Sequence, residues 1–381
     1  MKDLKLGYDD ISIVPERKTN ISSREQCNPY DYDGFLPIFA SCMSSVVSME
    51  NAKAFNDAKI RVVIPRSYPV HDRIKYMFDA ANGVGINVNF VAFSLNEIRQ
   101  YFINEDVRKG KSHFLSFNVC IDLANGHMSC LFDVVKQLKC IYKGGISIMT
   151  GNIANPETYR DCEEAGVDYL RCSIGSGDAC LTSSNTGIHY PVFSLLEETY
   201  KIKKEMNGNC RIIADGGIRE YRDIQKALIY ADYVMIGSLF NKAIESNGKT
   251  TYGNFYWNIR GKKIFRPFKT LLYYGRVVPK RKYCDVMSLI KDGKLTVWKQ
   301  FFGQSTKLAQ SLINKSNGIM FAKTKTSEGL IKYQKVEYDI KGWSENERDY
   351  LRSAMSYTNS KTLDEYKESE WVRMSKIYHN K

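Results

Sequence analysis

Several kinds of feature are missing from this chain of 381 residues. Its ten cysteines stand singly, without a CxxC pair, which argues against a disulfide framework or a zinc site and favours reduced, intracellular thiols. No uninterrupted apolar run is long enough to span a bilayer, and the N-terminal segment has acidic residues instead of the apolar core of a signal peptide. We therefore expect a cytoplasmic protein that does not bind membranes.

Acidic residues are absent from one long stretch, between Ser246 and Cys284. Much of the net charge of +13 lies there, in ten basic residues: Lys249, Arg260, Lys262, Lys263, Arg266, Lys269, Arg276, Lys280, Arg281 and Lys282. Such an excess suits anionic partners such as nucleotides, dinucleotide cofactors or nucleic acid. Because aromatic residues alternate with the basic ones, segment 249–284 could bind nucleic acid, cover an anionic cofactor as a lid, or form a solvated arm.

Eight short apolar runs recur along the first two thirds of the chain, with amphipathic stretches between them. The runs are 36–40, 61–65, 89–93, 116–122, 146–151, 168–173, 211–215 and 233–237. Strands that alternate with helices predict parallel βαβ units, and continuous apolar runs predict strands buried on both faces. Eight units predict an α/β fold of the (β/α)₈ TIM-barrel type. An open doubly wound sheet is the alternative, which the lack of a GxGxxG motif disfavours.

Glycine-rich loops follow the later runs, where barrel enzymes bind phosphate at the carboxyl ends of the strands. The motifs Asp215-Gly216-Gly217 and Gly237-Ser238 could form an anion site from backbone N–H groups, beside an aspartate that could accept hydrogen bonds from ribose. Tight turns with an N-capping aspartate explain the same residues equally well. Pattern alone leaves both interpretations open.

A second glycine-rich loop, after run 168–173, contains Cys180 and Thr182. A thiolate attacks electrophilic carbon well, so Cys180 is a candidate nucleophile, although most single cysteines are inert. Glu328 could be a general acid or base, and a solvated surface glutamate is the simpler explanation. His127 could be catalytic or could only hold its own loop together.

An ordered series of motifs resembles the IMP dehydrogenase/GMP reductase family. The segments, in family order, are LGYDDISIVPERKTNISSRE, ASCMSSV, DLANGH, IMTGNIANPE, RCSIGSGDACLTSSNTGIHYP, IIADGGIREYRDIQKAL, DYVMIGSLF, FFGQST and LRSAMSYTNSKTLDEY. The resemblance covers almost the whole chain. It implies a (β/α)₈ barrel, usually a homotetramer, whose glycine-rich loop carries the nucleophilic cysteine.

The reductase branch of the family fits the sequence better than the dehydrogenase branch. Residues 89–130 leave no room for the paired cystathionine-synthase-like regulatory domain that dehydrogenases usually carry. The dehydrogenase's mobile flap has no clear counterpart, whereas the reductase's threonine and glutamate match Thr182 and Glu328. We expect one catalytic domain over 1–381, with a basic insertion or lid over 245–300 after the eighth strand. The alternatives are an IMP dehydrogenase without its regulatory domain, which would use NAD and form XMP, and a barrel that binds nucleic acid through 249–284.

The resemblance implies a reductive deamination of GMP, or a related guanine nucleotide, to IMP. Cys180 would attack C2 of guanine, Thr182 and Glu328 would activate the thiol and protonate the departing ammonia, and NADPH would deliver hydride. The implied substrate-binding residues are Asp215, Gly216, Gly217, Gly237, Ser238, Gly303, Gln304, Ser305 and, at the phosphate, position 178. The implied cofactor-binding residues are Arg66, Ser67, Tyr68, Asp122, Asn125 and Gly126. A monovalent cation such as K⁺ is implied at Gly175, Gly177 and Cys180.

Departures from the family pattern fall on substrate recognition. Where the family has GPGS, this chain has Gly175-Ser176-Gly177-Asp178, and a carboxylate cannot donate to phosphate as the family's serine does. This departure leaves three alternatives open beside GMP: a nucleoside, a base, or a nucleotide whose phosphate is held differently. One of the ten inserted basic residues could offset Asp178. Gln304 replaces the usual methionine and could hydrogen-bond a base edge. Further replacements are Ser44 for aspartate, Leu181 for threonine and Ser183 for arginine.

Overall fold

Eight parallel strands close into a barrel in the computed structural model, which describes residues 4–80, 88–104, 116–252, 255–259, 262–266, 283–293, 295–319, 324 and 326–375. The barrel strands are β2 (Ile38–Ala40), β3 (Arg61–Ile64), β4 (Phe90–Phe93), β5 (Phe117–Asp122), β6 (Ile146–Ile153), β7 (Tyr169–Cys172), β8 (Arg211–Asp215) and β9 (Tyr233–Ile236). Strand β9 pairs with β2, with Val234 opposite Ile38, so no edge strand remains in the barrel. Seven of the strands lie within a predicted run, and β6 extends two residues beyond run 146–151. The predicted (β/α)₈ barrel is confirmed.

Side chains on the two faces of the barrel strands form two separate apolar clusters. Alternate residues such as Phe39, Val63 and Met235 pack inside the barrel, while their neighbours in sequence pack against the surrounding helices. Phe39, Phe90, Tyr169 and Tyr233 form a group of aromatic contacts inside the barrel, with ring centroids 5.1 to 6.0 Å apart. This packing fills the barrel interior, so any cavity for a ligand must lie at an end of the strands.

Helices connect the barrel strands and cover the outside. They are α1 (Ala52–Asp57), α2 (Val70–Asp79), α3 (Leu95–Ile98), α4 (Ser129–Tyr142), α5 (Thr158–Ala165), α6 (Thr182–Thr186), α7 (Val192–Met206), α8 (Tyr221–Ala227) and α9 (Ser238–Asn241). A π-helical turn, Arg99–Ile103, continues α3. Helix α5 ends at Gly166, which has a left-handed φ of +87°.

The chain beyond the barrel adds a small sheet beside the carboxyl ends of the strands. Strand β13 (Val297–Phe302) pairs antiparallel with both β10 (Thr250–Tyr252) and β14 (Ile331–Lys335). A separate hairpin, β11 (Phe255–Ile259) with β12 (Lys262–Arg266), and helix α10 (Tyr283–Lys291) lie between β10 and β13 in sequence. Most of the predicted basic insertion, 245–300, therefore lies in sequence between two directly paired strands of this small sheet. Most of segment 249–284 lies outside the described residues, so its role as a lid or as a nucleic-acid arm stays a prediction.

The C-terminal part returns to the barrel. Helix α11 (Lys307–Ser316) follows β13, helix α12 (Ile340–Tyr357) follows β14, and α13 (Leu363–Tyr366) precedes β15 (Trp371–Arg373). Strand β15 pairs antiparallel with β1 (Ile11–Ile13), which joins the two ends of the chain. The prediction of a single catalytic domain without an inserted regulatory domain stays a prediction.

Among the helices in the described ranges, none is long and apolar enough to cross a membrane.

Candidate active site

A cavity of about 320 Å³ opens at the carboxyl ends of the barrel strands. Its wall brings together most of the site residues predicted from the sequence: Arg66, Asp122, Gly175, Gly177, Asp178, Cys180, Thr182, Asp215, Gly216, Gly217, Gly237, Ser238, Gly303, Gln304, Ser305 and Glu328. These residues come from seven loops and more than 260 positions of sequence, so the fold alone makes them neighbours.

A chain of hydrogen bonds links the candidate nucleophile to the candidate acid–base group. The Cys180 thiol donates to the Thr182 hydroxyl oxygen at 3.3 Å, and the Thr182 hydroxyl donates to Glu328 Oε2 at 2.8 Å. The three side chains line the same cavity and are only partly buried. This arrangement provides a path for a proton from sulfur through a hydroxyl to a carboxylate.

Backbone hydrogen bonds hold the segment that contains Glu328 against the cysteine loop. Cys180 and Gly329 form an isolated antiparallel bridge, Leu181 N–H donates to the Glu328 carbonyl at 2.7 Å, and Leu330 N–H donates to the Ala179 carbonyl at 2.9 Å. A side chain added at Gly329 would place its Cβ 3.2 Å from the Ala179 carbonyl oxygen, so the two loops fit closely. Residues 328–330 thus act as a short strand against the cysteine loop.

Glycine-rich turns form one wall of the cavity, which we call the glycine cradle: Ser176, Gly177, Gly216, Gly217, Gly237 and Ser238. Gly216 and Gly217 have φ values of +123° and +78°, a backbone region that L side chains rarely adopt. A Cβ at Gly216 would lie 3.4 Å from the Gly177 nitrogen, so the two turns are in contact. Clustered N–H groups in such turns can bind an oxyanion.

Arg171 lies at the centre of the cavity floor and is almost fully buried. Its guanidinium donates to Asp122 Oδ1 at 3.1 Å and to the Asn152 amide oxygen, and Arg66 Nε donates to Asp122 Oδ2 at 3.0 Å. Burial opposes the charged form of Asp122, but the two guanidinium groups outweigh it and hold the pKa of Asp122 below its usual value. Asp122 is therefore a permanent charge that orients both arginines.

Asp215 faces the same arginine from the next strand. Its Oδ2 accepts a hydrogen bond from Asn152 Nδ2 at 2.7 Å and lies 3.1 Å from Arg171 Nε, a charge contact without hydrogen-bond geometry. Asp215 Oδ2 is thus held, while its carboxylate still borders the cavity. The sequence analysis missed Arg171 and Asn152, although an arginine inside an apolar barrel strand is a sequence signal for a buried ionic network.

The base-side loop contacts the cysteine loop from the other direction. The Gln304 amide donates to the Cys42 carbonyl, and a Cβ at Gly303 would lie 3.5 Å from the Ala179 carbonyl oxygen. Helix α11 begins beyond this loop, where the Thr306 hydroxyl accepts a hydrogen bond from Ala309 N–H and caps the helix. The loop 303–305 is therefore held between the first barrel loop and the cysteine loop.

Asp178 is paired with a lysine that lies outside the inserted basic segment. Lys332 of β14 donates to the Asp178 carbonyl oxygen at 2.7 Å and to Oδ1 at 3.1 Å. The side chains of nearly all the inserted basic residues lie outside the described part of the chain, so the expectation that one of them offsets Asp178 stays a prediction beside this observed lysine of β14. No pattern in the sequence links positions 178 and 332.

The predicted cofactor residues divide into two groups. Arg66 and Asp122 line the cavity and pair with each other, whereas Ser67, Tyr68, Asn125 and Gly126 do not line it. Tyr68 donates to Glu50 at 2.9 Å, while Asn125 and Gly126 form a turn against Asn152. We infer structural roles for Tyr68, Asn125 and Gly126 in this arrangement.

His127 holds its loop through both ring nitrogens. Nε2 accepts from Ala154 N–H at 3.1 Å, and Nδ1 lies 2.8 Å from the Thr158 hydroxyl, while burial lowers the pKa of the ring. A neutral imidazole satisfies both contacts, which favours the structural explanation of this residue.

Across the described residues, no group of three or more His, Cys, Asp and Glu side chains could hold a metal ion. A K⁺ site would use backbone carbonyls of the cysteine loop, so that site stays a prediction.

Comparison with known proteins agrees with this geometry. The domain model described as "IMP dehydrogenase / GMP reductase domain" matches residues 117–270. The protein named GMP reductase of Vibrio vulnificus (strain YJ016) is 31% identical over 258 residues, which cover 65% of this chain and 72% of that relative. The chain belongs to the IMP dehydrogenase/GMP reductase family. The GMP reductase of Streptococcus pyogenes serotype M5 (strain Manfredo) is 29% identical over 287 residues, or 69% of this chain and 83% of the relative.

Family membership together with these names supports an oxidoreductase of the GMP reductase type as a class. Identity near 30% makes this chain a divergent member of the family.

Proposed function

We propose that this protein is an NADPH-dependent reductase that converts GMP to IMP and ammonia through a covalent intermediate on Cys180. The observation that carries the proposal is the hydrogen-bonded chain from Cys180 through Thr182 to Glu328 inside a barrel-end cavity. A surface glutamate and an inert thiol would have no reason to meet through a hydroxyl across 146 positions of sequence.

The proposed reaction has two steps. In the first, Cys180 sulfur bonds to C2 of the guanine ring, the C2–N3 double bond opens with its electron pair on N3, and the thiol proton moves through Thr182 towards Glu328. Glu328 then protonates the exocyclic amine, and the C2–N bond breaks to release ammonia. The C2–N3 double bond forms again when the exocyclic amine leaves. In the second, hydride bonds to C2, the C2–S bond breaks, and its electron pair returns to sulfur. The purine carbon is reduced, NADPH is oxidised, and one proton comes from solvent.

The cavity supplies groups that fit the parts of a nucleotide. The glycine cradle provides N–H donors for an oxyanion, and Asp215, held by Asn152 and Arg171, can accept hydrogen bonds from ribose hydroxyls. Loop 303–305 offers the Gln304 amide and the Ser305 hydroxyl beside Cys180 for the base. Asp178, paired with Lys332, would lie at the phosphate.

Bound NADPH would supply the hydride that reduces C2. The donor set fits an anionic cofactor, because Arg66 borders the cavity and, within the described part of the chain, forms an ion pair through Nε alone. Arg66 would hold the cofactor, and Asp122 would keep the guanidinium in place. A cytoplasmic location, a tetrameric assembly and a K⁺ ion in the cysteine loop belong to the same proposal.

The test is a substrate and cofactor panel. The protein is incubated with GMP, dGMP, guanosine or IMP, each with NADPH or NAD, while cofactor absorbance, ammonia and purine products are measured. We expect NADPH oxidation and ammonia release with GMP. Formation of NADH and XMP from IMP would assign the protein to the dehydrogenase reaction instead, and a lack of turnover with every pair would refute both.

A further inference from the structure

One segment of chain delivers two opposite charges to the two ends of the cysteine loop. Residues 328–330 pair antiparallel with 179–181, and strand β14 begins at Ile331. Glu328 reaches Thr182 at one end, and Lys332 reaches Asp178 at the other. This segment therefore places the Glu328 carboxylate near the nucleophile. It places the Lys332 ammonium group beside Asp178, two residues before Cys180.

Asp178 lies directly beside the glycine cradle. It follows Gly177, whose nitrogen faces Gly216 across the wall of the cavity, and it lines the cavity itself. A free carboxylate there would repel a phosphate dianion at close range. The cavity would then suit an uncharged substrate, unless a cation neutralises the carboxylate.

Lys332 is that cation, and its ammonium group has more N–H donors than Asp178 uses. Lys332 contacts both the Asp178 carbonyl and Oδ1, and the ammonium group has three N–H donors. Lys332 and Asp178 side chains are 37% and 33% exposed, so the pair borders solvent and can rearrange around a ligand.

A second cation borders the same end of the cavity. Arg219 follows the Gly216–Gly217 turn and lines the cavity, and its ion pair with Asp9 is long, at 4.0 Å. The cradle end thus has two cations, Lys332 paired with Asp178 and Arg219 paired at longer range with Asp9. A phosphate monoester would bring an anion within reach of both cations, whereas a nucleoside would bring none.

We infer that Lys332 is a specificity-determining residue, which neutralises Asp178 and lets the cradle accept the phosphate of a purine nucleotide. This inference rests on the proposed function for the purine, but it concerns binding and not the chemical step. It explains how a chain with aspartate in the phosphate loop can still select a nucleotide over a nucleoside.

Binding of GMP, IMP and guanosine is measured by isothermal titration calorimetry, without cofactor, on the wild type, Lys332→Met, Asp178→Ser and the double variant. We expect Lys332→Met to weaken GMP and IMP binding roughly tenfold or more, since a charged partner is lost and a carboxylate is left unpaired. Guanosine binding should change less than about twofold. The double variant should recover much of the loss, because Asp178→Ser removes the repelling carboxylate. Lys335→Met, an exposed lysine of the same strand, is the matched control and should bind like the wild type.

Equal weakening of GMP and guanosine in Lys332→Met would show that the lysine only supports the fold of the loop, and unchanged GMP binding would show that it does not act on the phosphate. Either result overturns the inference, as does a wild type that binds guanosine as tightly as GMP. A wild type that binds GMP through Lys332 but does not oxidise NADPH would leave this inference standing while refuting the proposed function.

Discussion

Glu347 of α12 and Gln225 of α8 form a buried pair in which each side chain retains one atom without a partner. Gln225 Nε2 donates to Glu347 Oε1 at 3.1 Å, while Gln225 Oε1 and Glu347 Oε2 have no partner within the described part of the chain. Glu347 is fully buried, and burial raises its pKa well above the ordinary value. A proton on Oε2 would satisfy both orphaned atoms, so we expect Glu347 to be protonated and to donate to Gln225 Oε1.

The free-energy cost of keeping Glu347 protonated sets the size of its effect on folding stability. The ordinary pKa of the group is 4.5, and holding a proton above that value costs about 1.4 kcal/mol per pH unit, which amounts to about 3 kcal/mol at pH 7. Because the folded-state pKa is raised, the folded protein binds the proton more tightly than the unfolded chain. The contribution of Glu347 is therefore fully present below about pH 4.5 and falls as pH rises towards the folded-state pKa.

Glu347→Gln keeps the shape and supplies a permanent N–H donor to Gln225 Oε1. We expect the variant to be more stable than the wild type by up to about 3 kcal/mol at pH 7, and by less than about 1 kcal/mol at pH 5. Urea unfolding at fixed protein concentration, followed by circular dichroism at both pH values, measures the difference. Glu345→Gln is the matched control, since Glu345 lies in the same helix but is exposed. A Glu347→Gln variant without extra stability at pH 7, or with a gain independent of pH, would refute the protonated pair.

Other consequences of the structure are open to measurement. Thr182→Val and Glu328→Gln should each lower kcat with GMP and NADPH about a hundredfold while KM for GMP changes little, and Thr182→Ser should keep most of the rate; wild-type kcat in Thr182→Val would exclude the proton path. Arg171→Met leaves Asp122 and Asp215 without their buried cation, so the free energy of unfolding should fall by about 3 to 5 kcal/mol, and a loss below about 1 kcal/mol would contradict this role. Gly126→Ala places a Cβ 2.8 Å from the Asn152 carbonyl oxygen and should cost about 1 to 3 kcal/mol in urea unfolding, whereas Gly144→Ala, with nothing within 4 Å, should be nearly neutral.

The barrel could be predicted from the sequence because its strands are buried on both faces. Such strands appear as continuous apolar runs, and each of the eight runs overlaps one barrel strand. The cysteine loop and the glycine turns were also found, since special backbone conformations need glycine at fixed places. Contact among Cys180, Thr182 and Glu328 was expected only from the family resemblance. In the structure the two hydrogen bonds that link them are 3.3 and 2.8 Å long.

Charges that pair over long sequence separations could not be predicted. Lys332 and Asp178 are 154 positions apart, and their contact depends on how 328–330 pairs with the cysteine loop. The basic insertion was recognised by composition, but its departure point between β10 and β13 follows from strand pairing, which composition does not encode.

The most direct test of the central claim is a search for the covalent intermediate on Cys180. The protein is mixed with GMP and NADPH, quenched with acid during turnover, digested, and analysed by peptide mass spectrometry beside Cys180→Ala. We expect a purine nucleotide adduct on the wild-type peptide that contains Cys180. We expect the variant to form no adduct and to release no ammonia. Wild-type turnover by Cys180→Ala, or an adduct on another cysteine such as Cys42, would contradict it.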